Sequence, residues 1–208
     1  MAIVGLISDT HGLLRPEAVR ALAGSDLIIH AGDVGSPEIL AALRAVAPVV
    51  AVRGNVDTGA WASALPATAV AEIGGTLIYV LHDLNELDLD PAAAGFGVVV
   101  SGHSHKAASA ERGGPLLVNP GSAGRRRFKL PVTVARLDLG RVPWMSSSSI
   151  WMTRQNDPPI LANKAQQIDN NKLILLERRL VCTICAFAKI DSGSTTAILK
   201  ASIGLGMT

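Results

Sequence analysis

Aromatic residues are scarce: Phe, Trp and Tyr make up 3% of the 208 residues, although 49% are hydrophobic. The core must therefore be built from Val, Leu, Ile and Ala, the usual stock of buried parallel strands and the helices that cover them. Cysteine is nearly absent as well. Two residues, Cys182 and Cys185, cannot form a disulfide framework for a chain of this length. No unbroken apolar run approaches the ~18 residues of a membrane span. The apolar start Met1–Ile7 has no basic region and runs directly into Ser8, so it reads as a strand rather than a leader. Charge of one sign is also lacking: 19 basic against 17 acidic side chains give +2, no field able to hold nucleic acid without specific contacts. The expected compartment is the cytoplasm, with no membrane partner.

What charge there is falls unevenly. Residues 1–140 hold 11 Lys and Arg against 13 Asp and Glu, whereas 141–208 hold 8 against 4. Of 20 glycines, 17 precede residue 141, while both cysteines and three of the four methionines follow it. Residues 1–140 are the expected working domain. The remainder reads as an unassigned tail, a non-native or disordered extension. In it, Ser146–Ser149 and Asp157-Pro158-Pro159 suit a linker, and Cys182-Thr183-Ile184-Cys185 within apolar Lys172–Ala188 is at most half a zinc site.

In the first part, short apolar runs end in small polar clusters: Ile3–Ile7 before Ser8-Asp9-Thr10-His11-Gly12, Leu27–Ile29 before His30-Ala31-Gly32-Asp33, and Val49–Val52 before Arg53-Gly54-Asn55. Each predicts a buried strand and a turn. Between them, Pro16–Leu22 predicts a helix stopping near Gly24, and Ser36-Pro37-Glu38 provides an N-cap and helix start before Ile39–Val46. This β-α-β-α-β order predicts parallel strands. Further on, Gly74-Gly75 predicts a hairpin of Thr68–Ile73 with Thr76–Leu81. Val98–Ser101 reads as a buried strand ending at Gly102-His103-Ser104-His105. A second hairpin, Ala107–Arg112 with Leu116–Asn119, and a closing strand at Val132–Leu137 complete an α/β domain with a mixed sheet.

The polar residues gathered at these strand ends are Asp9, His11, Asp33, Asn55, His82, His103 and His105. In open α/β sheets ligands collect outside the carboxyl ends of strands. Imidazole and carboxylate donors without sulfur suit Mn, Zn, Fe or Ni. Seven donors exceed one tetrahedral ion and suit two ions that share a carboxylate and a water. Such a pair activates water for in-line attack at phosphorus. Taken singly, each motif has a plainer reading: a cap or Asx-turn for Asp9, a turn for Gly54-Asn55, a half-buried histidine for His82. His103 and His105 are stronger, since alternating residues of an extended stretch point the same way. Their ordered occurrence at successive strand ends favours the metal reading.

Asp9-x-His11, Gly32-Asp33, Gly54-Asn55, a lone His82 and Gly102-His103-x-His105 resemble the five ordered motifs of the calcineurin-like metallophosphoesterase superfamily. Ile7-Ser8-Asp9-Thr10-His11-Gly12, His30-Ala31-Gly32-Asp33, Arg53-Gly54-Asn55-Val56-Asp57 and Asn119-Pro120-Gly121-Ser122 are similar to its small bacterial and archaeal phosphodiesterase branch, the YfcE-type proteins. The resemblance spans residue 2 to about 138. It implies a four-layer α/β/β/α sandwich with mixed β-sheets and a dinuclear site at strand C-terminal ends. Asp9, His11 and His105 would hold one ion, Asp33 would bridge, and Asn55, His82 and His103 would complete the other. Asp33, Asn55 and His103 are the residues assigned to catalysis. The implied cofactors are two divalent ions, Mn foremost, with Ni, Co, Fe, Zn or Mg as alternatives. The implied reaction is hydrolysis of small phosphodiesters by a metal-bridging hydroxide, which leaves Ser8, Ser101 and Ser104 structural. The alternatives are a phosphomonoesterase or a non-catalytic scaffold like the retromer subunit of the same fold. Homo-oligomerisation is left open.

Two positions depart from the wider pattern. Val56 stands where many members carry a His suited to protonating the leaving group. Loss of such an acid removes a factor of ~10²–10⁴, which favours good leaving groups or an acid supplied by metal-held water. Asp83-Leu84-Asn85 follows His82 where the branch usually has Gly, and Asp83 reads as a solvated turn residue. His30 reads as a hydrogen-bonded core histidine. Arg53, and one or two of Arg125, Arg126 and Arg127, are candidates to approach a phosphate.

Overall fold

The computed structural model describes residues 2–111, 113–127 and 129–140, together with the backbone strands at 149–154 and 175–176. Its elements are β1 (Ala2–Ile7), α1 (Pro16–Leu22), β2 (Leu27–His30), α2 (Pro37–Arg44), β3 (Val49–Ala51), α3 (Ala60–Ser63), β4 (Thr68–Ile73), β5 (Thr76–Leu81), a 3₁₀ turn (Leu84–Glu86), β6 (Val98–Val100), β7 (Ala108–Glu111), β8 (Leu116–Asn119), β9 (Thr133–Leu139), β10 (Ser149–Arg154) and β11 (Leu175–Leu176). They form two mixed sheets, ordered β11-β10-β9-β1-β2-β3 and β4-β5-β6-β8-β7. Each contains three parallel strands in succession: β1, β2 and β3 in the first, β5, β6 and β8 in the second.

The period-2 alternation of the strands sorts their side chains into layers. Val4, Leu6 and Ile29 face Ile78, Val80, Val98, Val100 and Val118 between the sheets. Ile7 and Ile28 point the other way, against Leu22, Ile39, Leu40 and Leu43 of α1 and α2. Each fully buried aliphatic side chain contributes roughly 1.5–3 kcal/mol, and every facing position of the inter-sheet core is aliphatic. The outer face of the second sheet, Tyr79, Leu81 and Val99, is covered by Leu87, Leu89 and Phe96 from the segment after β5. This fourth layer is thin, its regular part being the 3₁₀ turn.

Both early helices begin with Pro at their first turn, as the sequence predicts. Ser36 occupies the N-cap position of α2 in extended conformation, but its hydroxyl makes no capping hydrogen bond. The end of α1 is closed from another element. Buried Arg136 of β9 donates from Nη1 to the carbonyls of Ala21 (3.0 Å) and Ala23 (2.6 Å). Gly5 in β1 allows this helix to lie close, since a Cβ there would press on Leu22 and Ser25. The hairpin turn at Gly74-Gly75 has the expected register, Ile73 opposite Thr76.

The domain boundary expected at 140 falls between β9 and β10. Ser149–Arg154 runs antiparallel to β9, with Ile150 opposite Leu137, so part of the tail's backbone continues the first sheet. The Asp157-Pro158-Pro159 linker and Cys182-Thr183-Ile184-Cys185 lie outside the described residues. Among the described residues, no helix is long and apolar enough to cross a membrane.

His30, at the end of β2, is fully buried and ties two loops together. Thr10 Oγ1 donates to the Val34 carbonyl (2.8 Å), so its hydroxyl proton is spent and it accepts from His30 Nε2 (2.9 Å). Burial lowers the His30 pKa from 6.5 to about 4, so the folded protein holds the ring neutral. The unfolded chain binds a proton near pH 6.5 that the folded chain refuses until about pH 4. Stability is therefore complete above pH 6.5 and falls as the pH drops through that window. Between pH 7 and pH 5 the wild type should lose about 2 kcal/mol more unfolding free energy than His30→Gln. Urea titrations of both proteins across that range measure this, and parallel profiles would contradict it.

Candidate metal centre

The parallel strands of both sheets deliver their carboxyl ends to one rim of the sandwich. Asp9 lies two residues beyond β1, Asp33 three beyond β2 and Asn55 four beyond β3. His82 directly follows β5, and His103 and His105 lie beyond β6. The backbone there is unusual. Asp9, His11, Asp33, His103 and His105 all have positive φ, between 46° and 65°, and they are the five non-glycine residues with that conformation among those described. Left-handed backbone costs an L-residue roughly 1–2 kcal/mol, and Asp and His tolerate it better than most. All five are residues singled out from the sequence.

The glycines of the motifs permit close approach. A Cβ on Gly54 would overlap the backbone nitrogen and Oδ1 of Asp33, and one on Gly32 would stand 2.6 Å from Nδ1 of His82. Asp57, buried, holds two of the loops together. Its carboxylate accepts from the backbone N–H groups of Gly54 (2.9 Å), Val34 (3.1 Å) and Gly35 (2.7 Å). Asn119 does the same for the His103–His105 loop, donating to the Gly102 carbonyl (2.5 Å) and Ser104 Oγ (3.1 Å). The sequence shows both residues inside motifs without revealing these tasks. The one local signal was Asp57 three residues after a turn glycine.

Two groups of donors form. In the first, His105 Nε2 is 3.2 Å and His11 Nε2 3.9 Å from Asp9 Oδ1, and the two Nε2 atoms are 3.3 Å apart. In the second, His82 Nε2 lies 3.4 Å from Asp33 Oδ2 and 3.0 Å from Asn55 Oδ1, which is 3.2 Å from Nδ1 of His103. Asp33 Oδ2 is also 3.8 Å from His11 Nε2, between the groups. Asp9, Asp33 and His82 present donor atoms within 4.8 Å of one another, as do Asp9, His11 and His105. All seven sequence candidates are brought together.

These spacings fit a cation. Donors at right angles around an ion with bonds of about 2.1–2.3 Å stand roughly 3.0–3.2 Å apart. A further fit is a buried atom without a partner. Ser8 Oγ sits 2.6 Å from Asp9 Oδ2, but Asp9 Oδ1 is buried and has no hydrogen bond, an arrangement costly for a carboxylate oxygen unless a cation completes it. The donor set of oxygen and imidazole suits a divalent ion of the first transition row.

The charges agree. Burial raises the pKa of Asp9, against the pull of Ser8, His105 and His82. Burial also works against ionised Asp33, yet hydrogen bonds from His82 and the Val56 N–H (3.0 Å) outweigh it and bring Asp33 below the ordinary carboxylate value. Burial, aided by the positive charge of Arg127, lowers the pKa values of His11 and His105 and so favours the neutral rings that can ligate an ion. For His82, burial opposes protonation, but Asp33 and the Ala31 carbonyl prevail and raise its pKa to about 9. The Nδ1–H of His82 donates to that carbonyl (2.7 Å), which turns Nε2 toward the cluster.

The neighbouring candidates separate. His30 bonds Thr10 and stays outside both groups. Arg125, Arg126 and Arg127 are exposed. Arg126 is engaged by its own loop through the Leu130 carbonyl, while the charge of Arg127 is felt at His11 and His105. Arg53 is exposed. Ser8 bridges Asp9 and the Gly121 carbonyl, a structural post.

Residues 1–141 match the family model of the calcineurin-like phosphoesterase superfamily domain. A probable metallophosphoesterase of Methanothermobacter thermautotrophicus is 36% identical over 149 residues, covering 65% of this chain and 86% of the relative. Among solved structures, Vps29 of Chaetomium thermophilum superposes with a TM-score of 0.63 at 19% identity, over 74% of this chain and 89% of that one. The phosphoesterase Yfce of E. coli superposes with a TM-score of 0.51 at 24% identity, over 65% and 88%. These likenesses carry the four-layer fold, and with the family match they bear out the resemblance read from the five motifs: the chain belongs to the calcineurin-like phosphoesterase superfamily.

Proposed function

We propose that this protein is a two-metal phosphodiesterase acting on small diesters, with Mn as the preferred ion and the cytoplasm as its compartment. The observation that carries the reading is the buried Oδ1 of Asp9, without a hydrogen bond, facing Nε2 of His11 and of His105, beside a second set of donors that shares Asp33. Asp9, His11 and His105 would hold one ion and Asn55, His82 and His103 the other, with Asp33 between them. When bound, two divalent ions supply an activated water and offset the charge of the phosphoryl oxygens.

The chain's own contributions are positioning and charge. Asp33 is fixed by the Val56 N–H through Oδ1, which leaves Oδ2 for the cluster. Asn55 sets its amide oxygen between His82 and His103. Arg127 adds positive charge on the His11 and His105 side, suited to an anionic substrate. Val56 and Leu84 are exposed apolar residues, adjacent in sequence to Asn55 and Asp83. They offer surface to an ester substituent, which favours diesters over monoesters. Val56 donates no proton from its side chain, which favours stable leaving groups. A second reading, a partner-binding scaffold, draws on the likeness to Vps29. Residues 141–208 contribute none of the seven donors and lie almost wholly beyond the family match, so we place them outside the catalytic machinery.

Purified protein with Mn²⁺ should hydrolyse bis-p-nitrophenyl phosphate faster than p-nitrophenyl phosphate. Asp33→Asn should lower kcat/KM by more than about a hundredfold, since even the outer partners of metal ligands cost 10–100-fold when removed. No turnover with Mn, Ni, Co, Zn or Mg would favour the scaffold, and faster monoester cleavage a phosphomonoesterase.

His82 provides a second check. With its pKa near 9 in the metal-free protein, it holds a proton at pH 7 that an ion must expel. Affinity should rise about tenfold per pH unit between pH 7 and 9 from this group alone. Calorimetry in buffers of different protonation enthalpy should count about one proton fewer released by His82→Asn.

A chain truncated after residue 142 should keep Mn²⁺ binding and hydrolysis in parallel assays. Loss of soluble protein would show that the tail's strand is needed for the fold.

A further inference from the structure

Asp83, which reads from the sequence as a solvated turn residue, has its two carboxylate oxygens in different employment. Oδ1 accepts from both the backbone N–H and the side-chain amide of Asn85, each at 3.0 Å, and so caps the 3₁₀ turn Leu84–Glu86. Oδ2 is left over and stands 3.7 Å from Nε2 of His103. The carboxylate side chain is only 24% exposed.

The His103 ring therefore lies between two neighbours. Without an ion its Nδ1–H donates to Asn55 Oδ1 (3.2 Å), on the cluster side, and its edge meets the His82 ring at 86° with centroids 5.2 Å apart. A neutral imidazole carries one proton. The nitrogen that serves an ion must present a lone pair, so the proton must sit on the other nitrogen, and an acceptor there selects that tautomer. For His82 the selector is the Ala31 carbonyl. For His103 the group on the outer side is Asp83. A spacing of 3.7 Å exceeds a direct hydrogen bond by roughly half an ångström. A small swing of the ring, 44% exposed, or one bridging water covers it.

We propose that Asp83 is a positioning residue: when the second ion takes Nδ1 of His103, the free oxygen of Asp83 accepts the ring proton's new position on Nε2–H and so holds the tautomer whose Nδ1 lone pair serves that ion. This rests on the two-ion reading above. The carboxylate is essential to the role. An Asn at this position would keep its amide oxygen for Asn85 and turn N–H donors on His103 Nε2. That would demand a lone pair on the outer nitrogen and put the proton on the face meant for the ion.

The test is Mn²⁺ binding by equilibrium dialysis, counted ion by ion, with thermal melting of the metal-free proteins alongside. Asp83→Asn should bind the second ion 10–100-fold more weakly, bind the first as the wild type does, and melt unchanged without metal. If Asp83 served only the turn, Asn would substitute fully, because it caps such turns as well as Asp does; unchanged second-ion affinity in Asp83→Asn would therefore overturn the proposal. Equal weakening of both ions, or a lowered metal-free melting temperature, would overturn it too, by assigning the residue a structural role. Uptake of a single ion by the wild type would overturn the two-ion reading itself, and this role with it, an outcome recognisable without any variant.

Discussion

Two carboxylates buried within reach of the same histidine set the terms for the whole molecule. Asp9 and Asp33 approach His11 from different strands, and each raises the cost of charge on the other. A domain held by aliphatic packing alone gains nothing from such an arrangement. It becomes favourable when positive charge enters: in the metal-free protein a proton on His82 supplies part of it, and Oδ1 of Asp9 remains without a hydrogen bond. The histidines surrounding the acids are divided accordingly, two kept neutral by burial and one charged by its neighbours. The centre is thus stable in itself on one side and incomplete on the other.

The two sheets serve this rim. Parallel strands end together, and packing two sheets through an aliphatic layer brings the ends of β1, β2 and β3 opposite those of β5 and β6. No single sheet could surround a point with seven side chains. The cost appears locally, as left-handed backbone at five of those residues. That cost is met by the rest of the domain, whose core residues are almost fully withdrawn from water. Strain collected at one place and nowhere else among the described residues is what a site with a chemical task looks like.

Much of this was legible beforehand because it rests on local rules. Alternating aliphatic runs marked β1, β2, β5 and β6, and Gly-Gly marked the hairpin of β4 and β5. The seven candidates stood at strand ends because the residue types able to bind ions are also those tolerated in tight turns. Contacts distant in sequence escaped. Arg136 closes a helix 113 residues away, a pairing that no periodicity announces. Asn119 braces the His103 loop across the sheet, and Asp83 reads as an ordinary turn residue until His103 is placed beside it. The tail's strand on β9 was hidden by a change in composition that suggested a boundary.

The carboxylate of Asp57 has a mechanical consequence. By gathering three N–H groups from the loops after β2 and β3, it makes those loops one rigid piece, and His30 with Thr10 fastens the loop after β1 to the same piece. The donors on this side therefore cannot shift independently of one another. Any adjustment to molecules of different size must come from the walls, the acidic stretch 83–90 on one flank and the arginine loop 125–127 on the other. A centre of fixed shape between adaptable walls separates the two demands on an enzyme: the reacting point stays constant while the range of molecules admitted can change through a few exposed residues.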